Sequence, residues 1–209
     1  MEHESGQVYV VDDNPDVCRS ISLVLNSVGY RVQSFYTAEE FLGAVDDSTP
    51  HCVIVDLLLP GMTGLMLCRN LSENSGCGFV IITGNADVPS AVDAMKMGAV
   101  DYLEKPFSRQ RLLECVHEAM RLVRSRHQAH QEETDALARL AELTPRERDV
   151  LTKMAEGLPT KAIASSCAIS TRTVDVHRSR ISKKLQLESP VQLAHFLAVI
   201  NRAHSRRPK

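Results

Sequence analysis

The chain contains 209 residues, 44% of them hydrophobic and 24% charged, which is the composition of a soluble protein with one large or two small domains. No segment has the length and hydrophobicity of a membrane helix, and residues 1–5 lack the basic start of a signal peptide, so we expect a cytoplasmic protein that does not enter a membrane. The six cysteines form no Cys-x-x-Cys pair and no zinc-binding cluster, which indicates reduced thiols and argues against a disulfide or zinc scaffold.

The net charge of −2 conceals an asymmetry between the two halves of the chain. Residues 1–122 contain 8 Lys and Arg against 17 Asp and Glu, a net of −9, whereas residues 123–209 contain 16 against 9, a net of +7. An acidic half joined to a basic half predicts two domains, the second of which faces a polyanion.

The acidic half alternates short apolar runs with amphipathic segments, a pattern typical of alternating strands and helices. The predicted order is strand 8–11, helix 15–28, strand 31–35, a helix capped by Thr37 with Glu40 at capping-box spacing, strand 52–56, helix 64–73, strand 79–83, helix 88–97 and strand 101–104. Three consecutive β-branched residues, Val53, Ile54 and Val55, indicate a strand buried on both faces. These elements predict an α/β domain of the doubly wound, flavodoxin-like kind, with five parallel strands in the order 2-1-3-4-5.

Acidic side chains collect at one edge of this predicted sheet. Because strands one and three are neighbours, Asp12 and Asp13 meet Asp56 at the carboxyl ends of the strands, where open α/β sheets bind ligands. Three crowded carboxylates repel one another and need a cation to remain ionised, and their hard oxygen atoms favour Mg²⁺. An ordinary interpretation stays open for each residue taken alone, since an Asp can also end a strand or cap a helix.

Two further side chains lie on the same predicted edge. Thr83 ends strand four and supplies a hydroxyl group, and Lys105 follows strand five and supplies a positive charge. A carboxylate nucleophile, a metal ion, an ammonium group and a hydroxyl group together would hold a phosphoryl group on Asp56. Thr83 alone would be read as an ordinary strand-end hydroxyl, so the hypothesis rests on the whole set.

These residues resemble the signature of the receiver domain of two-component response regulators, over residues 6–122. The matching pieces follow in the family's order: Asp12-Asp13, Asp56 with Pro60-Gly61-Met62-Thr63-Gly64, Thr83-Gly84, and Lys105-Pro106-Phe107. The resemblance implies that Asp56 is the phosphoacceptor and that Mg²⁺ binds to Asp12, Asp13, Asp56 and the backbone carbonyl of Leu58. It also implies that Lys105 contacts the phosphoryl group, that Thr83 and Tyr102 form a switch pair, and that the Lys105–Pro106 bond is cis.

A helix is predicted to begin near Ser108 and to lead out of the acidic half. Residues 124–135 are polar and charged without Gly or Pro, and an apolar rhythm resumes at Leu137, Leu140 and Leu143. The absence of helix breakers predicts a continuous or nearly continuous helical linker over residues 123–140. A solvated single helix and a dimerising helix both stay open, because the apolar seam is too broken to indicate a coiled coil.

The basic half is predicted to contain four short helices. Thr144 caps the first, which ends at Gly157, and the others lie near 159–166, 170–187 and 190–203. The second and third are joined by a tight turn at residues 167–169, which indicates a helix-turn-helix unit in an all-α domain.

The third of these helices has an inner and an outer face. Val174, His177, Ile181 and Leu185 recur at helical spacing and are expected to face the core. On the other face, an exposed Val176 fits a thymine methyl group and basic residues suit phosphates, although an ordinary solvated face stays open. The residues predicted to contact DNA are Thr171, Arg172, Thr173, Asp175, Val176, Arg178, Ser179, Lys183 and Lys184.

The basic half resembles the LuxR-type DNA-binding domain, and we place that domain at residues 141–204. The resemblance rests on these pieces: residues 143–151 (LTPRERDVL), Gly157, Lys161-Ala162-Ile163-Ala164, residues 173–178 (TVDVHR) and Lys184-Leu185. With the receiver domain, the whole chain resembles a FixJ-type transcriptional response regulator. The implied partners are double-stranded DNA, a sensor histidine kinase, RNA polymerase and, when phosphorylated, a second copy of the chain.

Phosphorylation is expected to draw Thr83 towards the new oxygen atoms and to let Tyr102 turn inward. This movement would change the surface formed by the fourth helix, the fifth strand and the fifth helix, where apolar and charged residues suit a two-fold contact. The residues predicted for that contact are Ala91, Met95, Lys96, Asp101, Arg109 and Arg111.

Two other functions stay open. The chain could be an aspartate-nucleophile phosphohydrolase, although a fused DNA-binding module argues against turnover as its purpose. It could also be an orphan regulator controlled by a protein partner without phosphorylation, although the intact acidic set argues against that. We expect no enzyme activity beyond self-phosphorylation and autodephosphorylation.

Overall fold

The computed structural model describes residues 6–45, 49–72, 76–85 and 87–205. The elements of the acidic half are, in chain order, β1 (Gln7–Val11), α1 (Pro15–Asn26), β2 (Arg31–Phe35), α2 (Ala38–Ala44), β3 (His51–Asp56), α3 (Gly64–Ser72), β4 (Cys77–Thr83), α4 (Val88–Lys96), β5 (Asp101–Glu104) and α5 (Arg109–Ala141). They are followed by α6 (Pro145–Ala155), α7 (Thr160–Ser166), α8 (Thr171–Leu185) and α9 (Pro190–Ser205). Each predicted element is present, and only the ends differ; Glu73, the predicted end of the third helix, lies outside the described residues.

The strands form one parallel sheet in the order β2-β1-β3-β4-β5, which confirms the predicted topology. Val11 lies beside Val55 of β3, and Asp56 lies beside Ile82 of β4. Since the strands are parallel, their carboxyl ends share one edge, and the residues that follow β1, β3, β4 and β5 meet there. The topology alone therefore brings the predicted site residues to the same edge.

Two apolar layers cover the sheet. One face of β3, with Val53 and Val55, packs against α2, α3 and α4, and the other, with Cys52 and Ile54, packs against α1 and α5. All six residues of β3 are buried. Burial on both faces explains why this strand is an uninterrupted apolar run and does not alternate with polar residues.

The helix α5 is continuous from Arg109 to Ala141, as the lack of breakers predicts. Its first part packs in the layer that covers the sheet, and Ala136 belongs to a separate core with α6–α9. The chain divides into two compact units, Met1–Gln128 and Ala129–Lys209, within the range predicted as linker, whose own limits stay a prediction. Although α5 has 33 residues, neither it nor any other described helix is apolar enough to cross a membrane.

The second unit is built from short helices around one core that includes Val150, Ile163, Val174 and Ile181. α8 ends two residues before the predicted limit, because Gln186 adopts a left-handed conformation with φ of 55°. α7 begins at Thr160, one residue later than predicted, because Pro159 forms its extended N-cap.

A buried ion pair joins α6 to α8. The Glu147 side chain is almost inaccessible, and its Oε2 atom lies 2.7 Å from Lys184 Nζ and accepts the Thr144 backbone N–H at 2.9 Å, within the predicted capping box. The Lys184 ammonium group and the Thr144 N–H lower the pKa of Glu147 from 4.5 to about 2. A depressed carboxyl pKa contributes stability that is present above pH 4.5 and is lost as the pH falls towards 2.

Glu147→Gln is expected to destabilise the second unit by about 2 kcal/mol at neutral pH, because the half-buried Lys184 loses its carboxylate partner. Glu156→Gln is the control, since Glu156 pairs with Lys153 in a more exposed bridge whose loss should leave the stability nearly unchanged. Hydrogen exchange of α6 and α8 peptides over a urea series measures both changes in the full chain. Acidification from about pH 6 to about pH 3 should reduce the difference in the free energy of unfolding between wild type and Glu147→Gln. A difference that does not change with pH would contradict this account.

Candidate phosphoacceptor and DNA-binding sites

Three carboxylates meet at the carboxyl edge of the sheet. Asp12 and Asp13 follow β1 and Asp56 ends β3, and one oxygen atom from each lies within 4.8 Å of the others. Asp12 and Asp56 are buried, whereas Asp13 is exposed. Burial raises the pKa of Asp12, and the hydrogen bonds from Lys105 and from the Asn14 N–H offset this only in part.

Lys105 holds the two buried carboxylates together. Its Nζ atom lies 2.6 Å from Asp12 Oδ2 and 2.6 Å from Asp56 Oδ2, and the preceding strand β5 brings it to the edge. Burial disfavours the Lys105 charge, but the hydrogen bonds to Asp12 and Asp56 outweigh this and raise the pKa of Lys105. The Lys105–Pro106 bond is cis, as the resemblance implies. The ammonium group therefore compensates the charges of Asp12 and Asp56.

The donor set fits a hard divalent cation. The three side chains offer carboxylate oxygen atoms, which are the ligands that Mg²⁺ prefers, and the exposure of Asp13 leaves room for water. The Leu58 side chain is exposed, and its backbone N–H donates to Asp56 Oδ1 at 3.1 Å. At Gly64 a Cβ atom would lie 2.1 Å from the Asp56 carbonyl oxygen, so only glycine allows α3 to begin so close to the acceptor strand.

The predicted switch residues, Thr83 and Tyr102, lie beside each other. The Thr83 hydroxyl is buried and bonds to the Asn85 backbone, accepting from its N–H at 3.2 Å. The Tyr102 hydroxyl is shielded near Thr83 and Asp87 without a well-formed hydrogen bond, and burial raises the pKa of Tyr102. The Tyr102 hydroxyl group is therefore turned inward in this structure.

Some of the residues predicted for a two-fold contact already make contacts within the chain. Arg111 already pairs with Asp101 at 2.8 Å, and Arg109 donates to Ser27 at the end of α1, on the side away from α4. Met95 and Lys96 are exposed and Ala91 is half-buried. Sequence reasoning missed Val88 and Val92, which are 76% and 44% exposed, although their spacing with Met95 places all three on one face of α4.

Most of the predicted DNA-contacting residues lie on the exposed side of α8. Val174 and Ile181 face the core, and His177 is half-buried, as its spacing predicts. The half-buried Thr173 bonds to the Ser170 cap through its hydroxyl, and Arg178 donates to Thr160 Oγ1 at 3.2 Å. The exposed members of the predicted set are Thr171, Arg172, Asp175, Val176, Arg178, Ser179 and Lys183.

Lys184 is held away from this surface. Its ammonium group bonds to Glu147 and to the Glu142 carbonyl oxygen at 3.1 Å, and the side chain is half-buried. The structure therefore favours Lys183 over Lys184 as the phosphate contact at this end of the helix. Charge and position along the helix do not distinguish the two lysines, because the partner of Lys184 lies 37 residues away in the chain.

Comparison with known proteins matches both halves of the chain to protein families. Residues 8–117 match the response regulator receiver domain, and residues 141–197 match the bacterial regulatory proteins of the luxR family. The transcriptional regulatory protein FixJ of Bradyrhizobium diazoefficiens is 38% identical over 192 residues, which span 91% of this chain and 94% of FixJ. The transcriptional regulatory protein TdiR of Thauera aromatica is 37% identical over 92% of this chain and 86% of its own length.

Two solved structures are also similar to most of the chain. The response regulator StyR is 35% identical, with a TM-score of 0.84 over 93% of this chain and 98% of StyR. Full-length FixJ from B. japonicum is 37% identical, with a TM-score of 0.56 over 97% of this chain and 98% of that chain. The similarity to both proteins thus extends over both units.

Lys105→Met is expected to strengthen binding of a divalent cation about 3- to 10-fold. The variant removes the ammonium group that contacts the Asp12 and Asp56 carboxylates and competes with the cation for them. Lys96→Met, which changes an exposed lysine of α4, is the control and should have no effect. Mn²⁺ titration followed by electron paramagnetic resonance measures the affinity directly. Weaker binding by Lys105→Met would show that the ammonium group organises the ligands more than it competes with the ion.

Proposed function

The chain belongs to the FixJ-type response regulators, in which a receiver domain is joined to a LuxR-type DNA-binding domain, and on this basis we propose that phosphorylation of Asp56 by a sensor histidine kinase controls its binding to DNA. The observation that carries the proposal is the placement of Lys105 between Asp12 and Asp56 at the carboxyl edge of the sheet. The protein is a transcriptional regulator, and the residue roles that follow are our assignments.

The Asp56 carboxylate is the nucleophile of the proposed reaction. One of its oxygen atoms forms a bond to phosphorus, while the bond from phosphorus to the donor's nitrogen or oxygen breaks and the donor leaves with that electron pair. Lys105 then exchanges its contact with the Asp56 carboxylate for one with a phosphoryl oxygen atom. Its high pKa keeps it charged for this role.

Asp12, Asp13, Asp56 and the Leu58 carbonyl oxygen are the proposed Mg²⁺ ligands. When bound, Mg²⁺ supplies positive charge that offsets the repulsion between the phosphoryl oxygen atoms and the carboxylates. The burial of Asp12 beside the exposed Asp13 supports this assignment, because Asp12 is held in place by the surrounding protein while Asp13 leaves the ion accessible to water.

The receiver domain acts on itself and is not a turnover enzyme in this proposal. Its chemistry is limited to self-phosphorylation from a small donor and autodephosphorylation. The alternative to control by phosphorylation is control by a protein partner alone. Release of several equivalents of phosphate per chain from a phosphomonoester would instead support a phosphohydrolase.

The proposed output is a dimer that binds DNA. Thr83 and Tyr102 form the switch, and the exposed apolar face of α4, with Val88, Val92 and Met95, supports a contact with a second copy. Two DNA-binding domains held together bind two half-sites with an intramolecular second step. In each domain α8 enters the major groove of DNA. The bound dimer then recruits RNA polymerase to the neighbouring DNA.

Asp56→Asn is expected to abolish labelling by acetyl phosphate in the presence of Mg²⁺, because the amide is not a nucleophile. Asp16→Asn, the same change at an exposed residue of α1, is the control and should label like wild type. A phosphate-affinity gel measures the label, and sedimentation of the same samples should show a dimer only where the label is present. Undiminished labelling of Asp56→Asn would overturn the assignment of the acceptor.

Lys183→Ala is expected to weaken binding to all DNA sequences and to reduce the slope of log affinity against log salt by about one, because it removes one phosphate contact. Lys153→Ala is the matched control, since Lys153 lies on α6 and is paired with Glu156. Fluorescence anisotropy at several salt concentrations gives both slopes. Equal slopes for wild type and Lys183→Ala would remove Lys183 from the interface.

A further inference from the structure

A carboxylate from α2 bonds to the loop that follows the phosphoacceptor strand. Glu39 Oε1 accepts the backbone N–H of Met62 at 3.0 Å, across 23 residues of sequence. The loop, residues 57–63, carries the Leu58 carbonyl group that we assign to Mg²⁺. The hydrogen bond is charge-assisted and therefore stronger than a neutral one.

The backbone is shaped to receive this carboxylate. Gly61 adopts φ of 78°, a conformation that side chains disfavour, and a Cβ atom there would lie 3.0 Å from Glu39 Oε1. The close approach leaves the Met62 N–H directed at Glu39. Glu39 itself lies in the first turn of α2, where the helix dipole favours a negative charge.

The helix that carries Glu39 is anchored in the apolar core, although the Glu39 side chain itself is exposed. Ala38 and Phe41 of α2 are buried in the same apolar layer as Leu57 and Leu59 of the loop. The neighbouring Glu40 does not bond to this loop. Its carboxylate accepts the Tyr36 N–H at 3.1 Å, just before the start of α2. The two adjacent glutamates thus serve different backbone segments.

The near end of the loop is fixed by bonds to the acceptor strand and its neighbour. The Leu57 N–H donates to the Ile82 carbonyl oxygen at 3.2 Å, and the Leu58 N–H donates to Asp56 Oδ1. At the far end, Thr63 bonds to α3 through its hydroxyl and carbonyl groups. The Glu39 bond ties the stretch between these ends to a different element.

We propose that Glu39 is a positioning residue that fixes the loop so that the Leu58 carbonyl group is held for the divalent cation. The proposal rests on the proposed Mg²⁺ site. Glu39 acts through the loop and touches neither the ion nor the phosphoryl group. Loss of a residue that is hydrogen-bonded directly to a metal ligand typically lowers affinity by about 10- to 100-fold. Glu39 acts on the Leu58 carbonyl group through a bond four residues further along the loop, so we expect a loss of less than about tenfold.

Three variants separate positioning from simple charge. Glu39→Ala removes both the acceptor and the charge, Glu39→Gln keeps an acceptor oxygen and removes the charge, and Glu40→Ala removes the adjacent glutamate that does not contact the loop. Mn²⁺ titration of the full chain, followed by electron paramagnetic resonance, gives the affinity of each. We expect about fivefold to tenfold weaker binding for Glu39→Ala and a smaller loss for Glu39→Gln, whose neutral oxygen atom still accepts but more weakly, with Glu40→Ala within about twofold of wild type.

A second measurement uses labelling by acetyl phosphate at increasing Mg²⁺ concentrations. Glu39→Ala should need more Mg²⁺ for half-maximal labelling while reaching a maximal rate within about twofold of wild type. Wild-type affinity for Glu39→Ala, or equal loss in Glu39→Ala and Glu39→Gln, would overturn the proposal. Labelling of Asp56→Asn would instead overturn the proposed function, so the two failures are distinguishable.

Discussion

Asp12 and Asp56 end neighbouring parallel strands, so their carboxylates would repel each other at the edge of the sheet without a cation between them. Lys105 supplies that cation from the end of β5. The strand order puts the three residues within reach, and the two apolar layers exclude water from Asp12. The fold therefore holds two carboxylates and one ammonium group in contact. A ligand that binds to these oxygen atoms would have to replace or share the contacts of Lys105.

The surrounding backbone is adapted to keep these groups in place. Gly64 lets α3 start against the Asp56 carbonyl group, and the Leu58 N–H donates to one oxygen atom of the Asp56 carboxylate. Glu39 ties the loop to α2, which packs in the same layer as the loop. Each contact involves a backbone group of the loop or of Asp56, so the position of the loop depends on a few specific residues.

The second unit uses the same principle for a different purpose. A buried carboxylate, Glu147, is compensated by Lys184, which joins α6 to the end of α8. Arg139 also donates to the Leu185 carbonyl oxygen at 3.1 Å and lies over the Phe196 ring. These contacts hold the inner side of α8 and leave its outer face exposed.

The sequence by itself determined the order of the elements, because periodicity and turn residues are local, and it determined the membership of the acidic edge, because each residue follows directly from a strand. Only the tertiary structure decided which charges pair. Lys184 bonds to a residue 37 positions away, Lys105 to one 93 positions away and Met62 to one 23 positions away. Such pairings depend on the distances between elements, and local periodicity in the sequence contains no information about those distances. For the same reason the inward position of Tyr102 could be seen only when its packing against the neighbouring elements was known.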